Sequence, residues 1–202
     1  GWESYHNYVV YNFINPVLNT SENFPIYDPD YLWGTTVYEK GACVLHMLRH
    51  VIGDSLFFAS LATYRAAHEY GNATTPDFQN AVETTTGQDL DWFFNEWIYD
   101  VGYPVYQYSW HAVNEDTAYA LNLRIDQVQT NGPIFTMPVD IKITTAAGDT
   151  LVTVWVDEAH EEFDSTLGSE PTAVVLDPDD WILKKSEEVP YAGIAVTQTP
   201  TS

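Results

Sequence analysis

The spacing of apolar residues changes once along the chain, near residue 100, and that change limits the fold more than any other feature. Up to about Tyr99 the apolar side chains recur at helical intervals, and from Pro104 onward they alternate. A chain that reads first as helices and then as strands folds as α+β. The pattern predicts an all-α helical lobe over residues 1–102 and an antiparallel β-sandwich over 103–188. The boundary is expected at "DVGYP", residues 100–104, where Gly and Pro interrupt both periods. The Thr- and Pro-containing stretch 189–202 reads as a tail or linker.

Within the first half, a loose aromatic helix is expected over residues 3–17, followed by the polar loop "NTSENFPIYDPDYLWG". A second helix runs from about Val37 to Ile52 and stops at Gly53, a good C-terminal signal. Asp54 is expected to cap a third helix that closes at Gly71. In "TTPDFQNAVETTTG" a Thr cap precedes Pro76, and Gly87 sits past the end. "DLDWFFNEWIYDVG" is a fifth, strongly aromatic helix. Its residues Trp92, Phe93, Phe94 and Trp97 are expected to dock the helical lobe on the β half.

In the second half, Tyr119, Leu121, Leu123 and Ile125 share one face of a strand, as do Val139, Ile141 and Ile143 of another. Asp140 and Lys142 are expected on the wet face of the second strand. "AAGD" (146–149) reads as the hairpin turn into "TLVTVWV". Strands with one buried and one solvated face, joined by short turns, make an antiparallel sandwich.

The 202 residues carry 7 Lys+Arg against 29 Asp+Glu, a net charge of −22. Nucleic-acid binding needs a basic surface and is excluded on this ground, and anionic membranes are unfavourable partners. No run of 18 apolar residues is present to span a membrane. The single cysteine, Cys43, permits no internal disulfide. Such an acidic surface suits an exported protein, and a secreted, periplasmic or cell-surface location is expected. The core-like opening "GWESYHNYVVYNF" suggests a piece of a longer protein.

The stretch "HMLRH", residues 46–50, has the histidine spacing of a helical zinc site. Met47 stands where a zinc protease would carry its glutamate base. On a helical wheel at roughly 100° per residue, Val37, Gly41, Val44, Leu45, Leu48, Val51 and Ile52 form the buried stripe. His46 and His50 fall on the opposite side, with no third ligand nearby in sequence. They read as two ordinary histidines, and no metal site is expected in this chain.

The same helix carries a more informative pattern, "VYEKGACVLHMLRHVIGDSLF". Together with "YGNATTPDFQNAVETTTGQDLDWFFNEWIYDVGYP" it resembles the zinc aminopeptidases related to aminopeptidase N, which are gluzincin metallopeptidases. "Gln-Val-Gln" (127–129) and "FTMPVDI" resemble the β-sandwich domain of that family. The resemblance implies that residues 1–102 are the C-terminal lobe of a thermolysin-like catalytic domain. It implies that Tyr38, before Lys-Gly, donates a hydrogen bond to the oxyanion formed when water attacks a peptide carbonyl. The family's H-E-x-x-H, its third ligand and its Gly-x-Met-Glu-Asn strand are not in this sequence and would lie upstream. The implied whole is a hydrolase that uses zinc to remove N-terminal residues from peptides, with the N-terminal remainder of the same chain as partner. The fragment alone is expected to bind no zinc and to be inactive.

Two further readings remain at this stage. The chain is a non-catalytic relative used as a scaffold, or its β half is a binding module for protein or glycan partners. For the second, Trp110, Trp155, Trp181, Tyr103, Tyr106 and Tyr108 are the candidate platform, with core packing as the competing explanation.

Overall fold

A computed structural model describes residues 1–192. Most of the expected tail, 193–202, lies outside the described residues. The helical half opens with α1 (Trp2–Val9), which runs through a π-helical turn (Val10–Ile14) into α2 (Asn15–Asn19). A loop then leads to a second π-helical turn (Thr36–Lys40) that continues directly into α3 (Gly41–Ile52). Next come α4 (Asp54–His68), α5 (Thr75–Thr86) and α6 (Asp91–Phe94), the last extended by a third π-helical turn (Asn95–Tyr99). All five expected helices are present.

Local chemistry explains the boundaries. Thr74 donates both its backbone N–H and its hydroxyl to the Asp77 carboxylate, at 2.8 and 2.7 Å, which fixes the first turn of α5. Gly87 closes α5 in the left-handed region at φ 69°, where a glycine carries no Cβ penalty. Asp54 does not cap α4 as expected. It is the first helical residue, and its carboxylate takes a bidentate pair from Arg49 at 2.6 and 2.7 Å.

Seven strands follow among the described residues: β1 (Val105–Asn114), β2 (Tyr119–Gln127), β3 (Met137–Thr145), β4 (Gly148–Val156), β5 (His160–Leu167), β6 (Pro171–Leu176) and β7 (Lys185–Glu188). They form a four-stranded sheet, β5-β2-β1-β7, and a three-stranded sheet, β4-β3-β6. The β3–β4 hairpin turns at Ala146–Ala147, as the "AAGD" signal required. Pairing is antiparallel throughout except that β7 runs parallel to β1, from Val105↔Lys185 to Tyr108↔Glu188. The purely antiparallel pattern expected of the β half is corrected by that edge. Lys185–Glu188 has no apolar alternation from which a strand direction could be read.

β3 is buried on both sides. Val139, Ile141 and Ile143 join Leu121, Leu123 and Ile125 of the other sheet in the core, and Ile141, Ile143, Leu121 and Leu123 line a shared cavity. The opposite side meets the helices. Asp140, expected in water, is buried and accepts a 2.6 Å hydrogen bond from Thr153, and its other oxygen lies 3.9 Å from His50 Nε2 of α3. Trp92 meets Trp155 edge-on at 5.4 Å, and the fully buried Trp97 packs 4.5 Å from Phe135. The aromatic helix therefore joins the two halves, as its composition suggested. Glu96 adds a polar clamp: its carboxylate accepts from the Thr136 N–H at 2.6 Å and the Thr136 hydroxyl at 2.9 Å.

Candidate functional site

Tyr38 sits in the middle of the π-helical turn that opens α3. A π-turn widens the helix by one residue and re-aims the side chains it carries, and such turns are frequent at functional sites. The phenol is 52% exposed, and Trp33 lies alongside it with ring centroids 6.2 Å apart and planes 19° apart. Tyr27, Tyr31, Leu32 and Trp33 are exposed on the preceding loop. The ring is thus at an accessible edge, not sealed in the helical core.

The backbone beneath it is tightly held. Glu22 reaches across from the polar loop and accepts the Thr36 N–H at 2.7 Å and the Thr35 N–H at 3.2 Å. These are orphan donors of a helix start. A Cβ at Gly34 would fall 2.5 Å from the Glu22 carboxylate, which would have to move to admit one. The Thr36 N–H is the main influence that holds the Glu22 carboxyl below the ordinary carboxylate range. On the inner side, Lys40 is buried and its ammonium reaches the Asp100 carbonyl at 3.4 Å. Burial pushes its pKa down to about 8, against the opposing pull of Asp100. A polar cavity of about 220 Å³ lies between Lys40, Glu22, Thr36 and Asn131.

The histidine pair lies elsewhere. His46 is buried, not set opposite the core, and both its imidazole and that of His50 stack on Trp181 at 4.6 and 4.9 Å. The Asp180 carbonyl can only accept, so His46 Nε2 carries the proton that it shares at 3.2 Å. Nδ1 is then the acceptor for the Tyr5 hydroxyl at 2.9 Å. Burial is the main cause that lowers the His46 pKa to about 4. With both His46 nitrogens committed to Tyr5 and Asp180, this pair does not fit a zinc site. The only trio of potential metal ligands among the described residues is Glu83, Asp89 and Asp91. It is an all-oxygen set engaged with Gln79 and with the Leu90 and Asp91 amides, and it too does not fit zinc.

The candidate aromatic platform disperses. Tyr106, Tyr108 and Trp181 are buried, Tyr103 and Trp110 half-buried, and Trp155 is engaged by Trp92. The Gln-Val-Gln stretch is structural in detail. Gln127 both donates to and accepts from the Phe135 backbone, at 2.7 and 3.0 Å, while Gln129 accepts from Val105 N–H at 3.1 Å. Glu22 and Lys40 were not found by sequence reasoning. Glu22 lies 14 positions before the amide it holds, beyond the reach of local capping rules.

An α+β chain with an accessible tyrosine on a re-aimed helix start, backed by β-sheets, matches a known family over its helical half. Residues 10–97 match the Peptidase family M1 domain. Among curated proteins, aminopeptidase N of Lactococcus lactis is 39% identical over 69 residues, 34% of this chain and 8% of that protein. The Tricorn protease-interacting factor F2 of Thermoplasma volcanium is 36% identical over 81 residues, 39% of this chain and 10% of that protein. Aminopeptidase M1 of Arabidopsis thaliana is 37% identical over 76 residues, 38% of this chain and 9% of that protein. The crystal structure of Legionella pneumophila aminopeptidase A in complex with aspartic acid superimposes with a TM-score of 0.62 at 23% identity, over 77% of this chain and 18% of that one. The chain is related to the aminopeptidase N family of peptidases. It matches only about a tenth of the length of these curated relatives and under a fifth of the structural neighbour.

Proposed function

We propose that this chain is the C-terminal portion of the catalytic domain of a zinc aminopeptidase, residues 1–102, followed by a β-sandwich domain, residues 103–188. The reaction is hydrolysis of the N-terminal peptide bond by metal-activated water, and the substrate is a peptide with a free amine. Ligands and general base lie upstream in the same polypeptide, the partner against which the exposed face around Tyr38 sits. When bound, the metal polarises the carbonyl and lowers the pKa of its water. Export to an extracytoplasmic compartment belongs to the same reading and rests on the net charge of −22.

The contribution of this chain is Tyr38. Its phenol donates a hydrogen bond to the carbonyl oxygen as negative charge develops there. A donor aimed at that position strengthens only in the transition state, and its loss costs roughly 100- to 1000-fold in kcat. The observation that carries this reading is the position of Tyr38: exposed, on a π-turn, and inside the stretch that matches the peptidase family. Hydrolysis of an aminoacyl p-nitroanilide by the intact protein and its Tyr38→Phe variant tests it. A steep fall in kcat is expected, and an unchanged kcat overturns the reading.

A further inference from the structure

We propose that Glu22 is a positioning residue for Tyr38, a carboxylate clamp that fixes the backbone from which the phenol projects. The proposal rests on the catalytic reading of Tyr38 given above. Three observations carry it. Each Glu22 oxygen takes a separate amide, Oε2 the Thr36 N–H at 2.7 Å and Oε1 the Thr35 N–H at 3.2 Å, two and three residues before Tyr38. The Gly34 backbone is pressed against the same carboxylate, so that a Cβ would stand 2.5 Å from Oε1. The Gly34 carbonyl in turn accepts from the Val37 N–H at 3.2 Å and the Tyr38 N–H at 3.3 Å. Glu22, Gly34 and the Tyr38 amide are thus one linked unit.

The physics favours a charged clamp over a neutral one. The amides at a helix start are unpaired within the helix, and the helix dipole favours negative charge beside them. Charge-assisted hydrogen bonds are shorter and stronger than neutral ones. Glu22 comes from a loop with no regular structure, yet Thr20 Oγ1 accepts the Glu22 N–H at 3.2 Å and steadies its backbone. A catalytic donor misplaced by about 1 Å can cost on the order of 100-fold, so holding the turn matters to the chemistry even though Glu22 touches no substrate.

The test has two arms. In the 202-residue chain, Glu22→Ala should speed hydrogen exchange of the Thr35 and Thr36 amides by about tenfold or more while the Leu48 amide keeps its protection. Glu22→Gln, which keeps one acceptor oxygen, should give an intermediate effect. In the intact protein, Glu22→Ala should lower kcat about tenfold with KM little changed, and this loss should vanish in a Tyr38→Phe background. An equal loss with and without the phenol would show that Glu22 acts through general stability, and would overturn the proposal. Unchanged exchange at Thr35 and Thr36 would overturn it as well. If Tyr38→Phe itself leaves kcat intact, the catalytic reading of Tyr38 fails, and the exchange arm still decides the clamp.

Discussion

The Trp33 indole lies alongside the Tyr38 phenol, centroids 6.2 Å apart and planes 19° apart, although both side chains are more than half exposed. Two aromatic rings in water gain by stacking, typically about 0.5–1.5 kcal/mol. Here the stacking also limits the directions in which the phenol can point. Trp33→Ala should therefore lower stability by no more than about 1 kcal/mol, because Trp33 buries little surface. Near-ultraviolet circular dichroism should report the loss of the ring pair, and kcat of the intact protein should drop about threefold to tenfold with the folded state intact.

Trp97 tests how the helices are joined to the sheets. It is fully buried, packs on Phe135, and its indole N–H has no hydrogen-bond partner among the described residues. Trp97→Ala should destabilise by about 3–5 kcal/mol, the cost of a large cavity. Trp97→Phe keeps most of the packing and removes an unpaired buried donor, so its cost should stay below about 1.5 kcal/mol. Urea denaturation of the two variants separates packing from polarity. Equal losses would show that the N–H is satisfied.

Asp177 organises the turn that carries Trp181 to the histidines. Its carboxylate accepts the Trp181 and Ile182 amides at 2.9 Å each and pairs with Lys184 at 2.8 Å, both side chains being buried. Removing one partner of a buried ion pair leaves the other uncompensated, at about 3–5 kcal/mol. Asp177→Ala should cost that much and loosen the Trp181 stacking. Lys184→Met should cost less, because the two amides still hold the carboxylate. Equilibrium denaturation with tryptophan fluorescence measures both.

His46 makes stability depend on pH in a definite direction. Burial holds its pKa near 4, against an unfolded value near 6.5. Between those values the unfolded chain binds the proton and the folded one does not. Stability from this group is therefore complete above about pH 6.5 and is lost progressively as the pH falls toward 4. A His46→Gln variant should be less stable at neutral pH and should show a shallower acid decline than the parent. Comparing thermal midpoints from pH 7 to 4 in both proteins isolates the imidazole from the carboxylates common to them.

The sequence was most legible where local chemistry decides structure. The Thr74–Asp77 start and Gly87 stop of α5, and the alternation in β2 and β3, are visible because they are set within a few residues. It was least legible where distant segments meet. The helical wheel placed Leu45 in the core and His46 opposite it, yet Leu45 is 41% exposed and His46 is buried. Trp181, 135 positions after His46, covers the face that the wheel assigned to water. Asp140 is buried for the same reason, with His50 of α3 3.9 Å from its carboxylate. The π-turn at Thr36–Lys40 left no periodic signature, since one wide turn is too short to shift the apolar pattern. Tyr38 came from the family resemblance, and Glu22, drawn from a polar loop with no periodic or motif signal, was invisible until the loop was seen against the helix start.

The most direct test of Tyr38 as an oxyanion donor compares transition-state and ground-state recognition in the intact protein. Tyr38→Phe should weaken binding of a tetrahedral phosphinic dipeptide analogue by about the same 100- to 1000-fold factor as it lowers kcat/KM, while KM for an aminoacyl p-nitroanilide changes by less than about threefold. Equal affinity of both proteins for the tetrahedral analogue would contradict the account.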